Sequence, residues 1–260
     1  MMIRSIKEYV EEISKCKNEL SEAPIILFRG QTNFKWTIKS SLERELARHG
    51  TEDISCEKYY SIIDRYKPLM NPFIKNRFKR RMTSSGYPFD FKEYESGSWE
   101  LPEMEYIAYL RHHGFPTPSI DFSRSYFIAL FFACSDFNQD IKEHGKVFLY
   151  SPPRFLIGGN DIPALRMIGR YVEAGKRHLA QQSKYLIPTV YNSEWKFITS
   201  KKAADDSTNN YTFREIIINK DAKAKLMREL NNMNINHYPM FLNEDALIKS
   251  FSDDWALEKA

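Results

Sequence analysis

The chain has 260 residues, 42% hydrophobic and 14% aromatic, enough to bury one substantial core. Lys and Arg number 38 against 34 Asp and Glu, and the resulting formal net charge of +4 is too small to mark a nucleic-acid-binding protein by itself. Cys16, Cys56 and Cys134 are odd in number, widely spaced and outside any CxxC or Cys/His pattern, which argues against a disulfide framework or structural zinc and for reduced intracellular thiols.

Residues 2 to 20 mix charges with apolar residues at helical spacing and predict an amphipathic helix rather than a signal peptide. No stretch approaches the roughly 18 apolar residues of a membrane span, so a cytoplasmic protein is expected. "APIILFRGQ" predicts a buried strand running into a tight turn at Gly30. Helices are predicted over 41 to 49 and 55 to 67, the second closed by Pro68 and Pro72. A basic and aromatic insertion lies around 71 to 100, and its part 84 to 99 reads as an exposed loop or lid. A helix over 103 to 112 leads into "HGFPTPSIDFS", read as a turn punctuated by Gly114, Pro116 and Pro118, and then into a buried helix over 125 to 137. "GKVFLYSP" predicts a strand, and 162 to 191 a helical or turning segment leading to another. Residues 200 to 210 read as a surface loop, "YTFREIIINK" as a strand, and helices follow over 221 to 235 and in the tail. Strands and helices without regular alternation predict a single α+β domain spanning 1 to 260.

Four places carry candidate chemistry. Arg29, delivered by a strand and followed by Gly30, either presents a guanidinium to a phosphate or carboxylate or sits in a structural ion pair. His112, Asp121 and Ser123 are polar groups set against an apolar helix: Ser123 or Ser125 caps that helix and Asp121 bonds turn amides, or the group lines an anion site at the helix start. Gln181 and Gln182 in "KRHLAQQSKY" are either a surface face or bidentate donors to a ligand. Lys75, Arg77, Lys79, Arg80 and Arg81 surround Phe78, giving either a solvated helix face or phosphate contacts with an aromatic stacking platform.

"FRGQTNFKWTIKSSLERE" and "RHHGFPTPSIDFSRSYFIALFFAC" resemble the FRG domain family, with its Phe-Arg-Gly-Gln start, a following Trp and Ser-Leu-x-Arg, a proline turn and an Ala-Leu-Phe-Phe-Ala helix. "KRHLAQQSKY" is similar to a further element of the family, so the resemblance is expected over most of the chain. Arg111, His113, Pro118, Phe122, Ser123 and Ser183 stand where the pattern has Gln, Tyr, Arg, Trp, Thr and Gly.

The order of the motifs is more distantly similar to the Arg-Ser-Glu class of ADP-ribosyltransferases. That resemblance implies a transferase-like mixed sheet with flanking helices and NAD as substrate, with no metal. It places Arg29, with Gly30 and Gln31, on the NAD phosphates. Ser123 and Gln181 complete the NAD site, and His112, Asp121 and Gln182 take the catalytic positions. No carboxylate stands at the third motif; Glu173 lies upstream and Glu194 downstream. The implied function is ADP-ribosylation of a macromolecular acceptor by an intracellular toxin or antiphage defence effector. The basic segment favours nucleic acid, RNA including messenger RNA, as acceptor, and a neutralising antitoxin is an implied partner. The alternatives are a noncatalytic nucleotide- or partner-binding module and a hydrolase or nuclease based on His112 and Asp121.

Overall fold

The computed structural model describes residues 2–20, 25–74, 78, 101–138, 143–152, 163–168, 175–205 and 212–259. Over these it is an α+β protein built on one nine-stranded mixed sheet. The strands are β1 (Met2–Ile3), β2 (Leu27–Gln31), β3 (Ile54–Ser55), β4 (Ile120–Ser123), β5 (Gly145–Ser151), β6 (Ala164–Met167), β7 (Ser183–Asn192), β8 (Glu194–Phe197) and β9 (Thr212–Ile218). They run in the order β1-β9-β5-β2-β4-β7-β8-β3, with β6 added to β7. β1 and β9 are parallel and every other described pair is antiparallel.

The helices are α1 (Ile6–Glu19), α2 (Ser41–Arg48), α3 (Cys56–Ile74), α4 (Met104–His112), α5 (Tyr126–Cys134), α6 (Gly175–Ala180), α7 (Ser200–Ala204), α8 (Lys223–Asn232), α9 (His237–Phe241) and α10 (Glu244–Lys259). Strand alternation sends neighbouring residues to different cores. Phe28, Val147 and Ile216 join α1, α5 and α8 in one cluster, while Leu27, Phe122 and Tyr150 form another that α7 closes with Ala203. A third cluster packs α3 and α4 on Tyr185, Ile187 and Phe197.

Helix α5 packs closely against the sheet at Gly30 and Gly145. Its residues Ile128 to Phe131, Ala133 and Cys134 are buried, as a helix that is apolar all round requires. Gly30 makes the approach possible: a Cβ there would collide with the Ala129 carbonyl and lie 2.7 Å from the Ala133 nitrogen. The glycine of the Arg-Gly pair therefore serves helix packing, and it lies within β2 rather than in the expected tight turn. Gly145 on β5 does the same against the Ala133 carbonyl.

Several expectations are corrected. Helix α3 runs through Pro68 and Pro72 instead of ending there. The prolines remove two helical donors, but Tyr60, Ile63 and the buried Lys67 anchor the helix. Lys67 is 3.0 Å from Asp64 and also paired with Glu103. The proline turn contains β4, and the segment read as helical or turning contains β6. Residues 200–204 form α7 rather than a surface loop, because the buried Glu43 carboxylate accepts from the Ser200 amide (3.0 Å) and hydroxyl (2.6 Å). β1 was unforeseen; two residues reveal themselves as strand only by pairing with Ile217 and Ile218. The expected loop over 84 to 99 lies outside the described residues. All three cysteines are free and buried. Among the described residues no helix is long and apolar enough to cross a membrane.

Candidate functional site

β2 and β4 are neighbours in the sheet, yet among the described residues only Phe28 and Ser123 stand in register. Beyond that pair the strands part, and a cavity of about 300 Å³ opens between them. It is lined by Arg29 and Gly30 of β2, Arg111 and His112 at the end of α4, Asp121 and Ser123 of β4, Arg177 and Gln181 from α6 and the turn after it, Ser183 of β7, and the Phe132 and Phe241 rings.

Arg29 crosses the opening. Its Nη1 donates to the Asp121 carbonyl at 2.6 Å, while its buried Nε has no partner among the described residues. Burial lowers the guanidinium's pKa to about 10; Asp121 opposes the fall, while Arg111 and Arg44 add to it. Arg29 thus holds β2 to β4 and keeps donor capacity spare. The Asp121 side chain is divided in the same way. Its Oδ2 accepts from Arg111 Nε at 3.0 Å, and its buried Oδ1 has no partner among the described residues. Asp121 is thus paired with Arg111 rather than with His112, which weakens a His/Asp hydrolase arrangement.

His112 ends α4 under the influence of Arg177, whose Nη1 donates to the His112 carbonyl at 3.4 Å. Burial, and then the Arg177 charge, lower the imidazole to about 4, so it is neutral at pH 7. Arg177 also stacks on Phe241, with its guanidinium carbon 4.2 Å from the ring centroid. Among the described residues the lining carries three guanidinium groups against one carboxylate.

Ser123 and Gln181 line the cavity but are committed internally. The Ser123 hydroxyl donates to the Gln181 carbonyl at 2.8 Å and accepts from the Ser125 amide at 3.0 Å. Ser125, not Ser123, caps α5, accepting from the Ile128 amide. Gln181 Nε2 donates to the Met240 carbonyl at 2.9 Å, which docks α9 and so positions Phe241. The expected convergence of Arg29, Gly30, His112, Asp121, Ser123 and Gln181 is therefore present.

Gln182 does not join them. It is exposed and absent from the lining, and its backbone turns at φ 48° between α6 and β7. Its carbonyl accepts from the Arg124 amide. The geometry gives it a turn, not a catalytic position. Gln31 lies outside this cavity and lines a neighbouring one of about 700 Å³ that shares Arg29, Gly30 and Phe132. Phe78 is buried, its ring 5.0 Å from Tyr106 and 5.4 Å from Tyr109, so it is a core residue and not a stacking platform for bases. Lys75, Arg77, Lys79, Arg80 and Arg81 lie outside the described residues.

Sequence reading missed Arg111, Arg177 and Phe241. Arg111 carried a signal, since the resemblance expects glutamine there. Arg177 stood in a quoted motif without being singled out. Phe241 is reached only through the docking of α9. Among the described residues no group of three or more His, Cys, Asp or Glu is placed to hold a metal ion.

Residues 24–142 match the family model of the FRG domain. The span contains β2, β4, α4 and α5, which supply Arg29, Arg111, His112, Asp121 and Ser123; Arg177 and Gln181 come from beyond it. No curated protein and no solved structure matches the chain.

Proposed function

We propose that this cleft binds NAD and transfers ADP-ribose to a macromolecular acceptor. One observation carries the proposal: three arginines surround a single carboxylate with one unpartnered oxygen, at the point where β2 and β4 part. The arginines suit a diphosphate, which a guanidinium holds through paired, charge-assisted hydrogen bonds. The free Oδ1 of Asp121 suits a developing positive charge. Transfer breaks the bond between ribose C1′ and the nicotinamide nitrogen. The electron pair leaves with neutral nicotinamide, and the acceptor forms the new bond to C1′ and gives up a proton. Asp121 stabilises charge at C1′ as the bond breaks. The acceptor's proton passes to solvent, and His112, neutral at pH 7, accepts a hydrogen bond from the acceptor and orients it.

The acceptor is proposed as nucleic acid, on the basic side chains of Lys75, Arg77, Lys79, Arg80 and Arg81 alone, now without Phe78. A second reading, a noncatalytic nucleotide-binding module, draws on the internal commitments of Ser123, Gln181 and Asp121 Oδ2.

Incubation with adenylate-labelled NAD and RNA, DNA or protein separates these readings. Label should enter the nucleic-acid fraction with equimolar release of nicotinamide. Asp121→Asn should slow it by about 100-fold or more. It should bind NAD at least as tightly as wild type, since it removes a negative charge from an anion site. NAD that binds and is never consumed favours the module. Label in protein alone moves the acceptor away from nucleic acid.

A further inference from the structure

The neighbouring cavity is the larger of the two, at about 700 Å³, and the pair meet at Arg29, Gly30 and Phe132. A ligand holding a phosphate at Arg29 could extend into both. The second cavity adds Gln31, Lys35, Trp36, Lys39 and Arg44. Trp36 lines this cavity and is 53% exposed. Gln31 is only 9% exposed and its Oε1 has no partner among the described residues, so the wall contains a buried acceptor open to a donor. Its Nε2 donates to the Thr37 carbonyl at 3.4 Å. Lys35 is occupied by Glu143 at 2.5 Å. Arg44 spends one Nη1 bond on the Lys39 carbonyl at 3.0 Å, and burial lowers its pKa.

An aromatic face, an unsatisfied acceptor and a guanidinium beside a phosphate-holding arginine together match a nucleoside phosphate. We propose that this second cavity holds the adenosine half of the nucleotide, with adenine stacked on Trp36, a hydrogen bond from the ligand to Gln31 Oε1 and the phosphate shared between Arg29 and Arg44. The inference rests on the NAD-binding reading of the first cavity and assigns each half of the ligand its own wall. It also gives a use to "W" and "SLER" of the quoted sequence motif, since Trp36 and Arg44 line the cavity.

Calorimetric titration with ADP-ribose, AMP and nicotinamide mononucleotide tests it, with thermal melting to establish that each variant folds. Trp36→Ala should weaken ADP-ribose and AMP by about tenfold or more, the range of lost base stacking. Trp36→Phe should restore most of the affinity. Arg44→Ala should weaken AMP, and all three variants should bind nicotinamide mononucleotide as wild type does. If ADP-ribose and AMP bind but ignore Trp36→Ala, the assignment of this cavity falls while the nucleotide reading of the cleft stands. If wild type binds none of the three, that reading falls and this inference with it.

Discussion

Asp121 joins the structural and chemical parts of the cleft in one residue: its carbonyl is held by Arg29, one carboxylate oxygen by Arg111, and the other oxygen is free. Arg29→Ala should therefore lower stability as well as nucleotide binding. Losing this part-buried, charge-assisted hydrogen bond costs about 1–3 kcal/mol, readable in a denaturant midpoint. His112 gives a pH signature. Its imidazole is held near 4 against an ordinary 6.5, so the unfolded chain takes the proton first as pH falls. Stability from this group is complete above about 6.5 and is lost towards 4, and His112→Ala should flatten that part of the urea-midpoint profile. Gln182 makes the opposite case. At φ 48° a glycine is unstrained, so Gln182→Gly should keep full activity and stability. Loss of activity in that variant would return Gln182 to the site. Arg29, His112, Asp121 and Ser123 were legible because polar residues beside an apolar run need partners. Gln182 was misread because adjacent glutamines look alike in sequence, and only the turn decides which one faces inward.

At the scale of elements, α5 was legible from its unbroken apolar character, and β2 from its short apolar run ending in Arg-Gly. β4 was not. Four residues following two prolines carry too little pattern, and their strand geometry comes from pairing with Ser183 to Leu186 of β7. The role of Gly30 was equally hidden, since a glycine after an arginine reads the same whether a ligand or a helix approaches it. Gly30→Ala tests the structural role. Its Cβ meets backbone atoms of Ala129, which cannot move aside as a side chain can, so α5 must shift. The cost should be about 1–3 kcal/mol or more in the denaturant midpoint, the range of overpacking in a close-packed core. A Gly30→Ala protein as stable as wild type would show that α5 does not sit this close to β2.

For the whole molecule, the FRG match covers residues 24–142, but the sheet that carries it is completed from both ends of the chain. β9 pairs along all seven residues of β5 and receives β1 on its other side. The α+β class was legible from mixed elements without alternation; the joining of distant segments was not, because pairing is decided by three-dimensional neighbours. The cleft likewise draws Arg177, Gln181 and Phe241 from outside the matched span. Calorimetric titration of NAD into the intact protein at low and moderate salt tests the central claim most directly. One site per chain is expected, weakening as salt rises and weakening about tenfold or more in Arg177→Ala, the loss of a charge-assisted hydrogen bond. Absence of binding at millimolar NAD, or binding indifferent to both salt and Arg177→Ala, would contradict it.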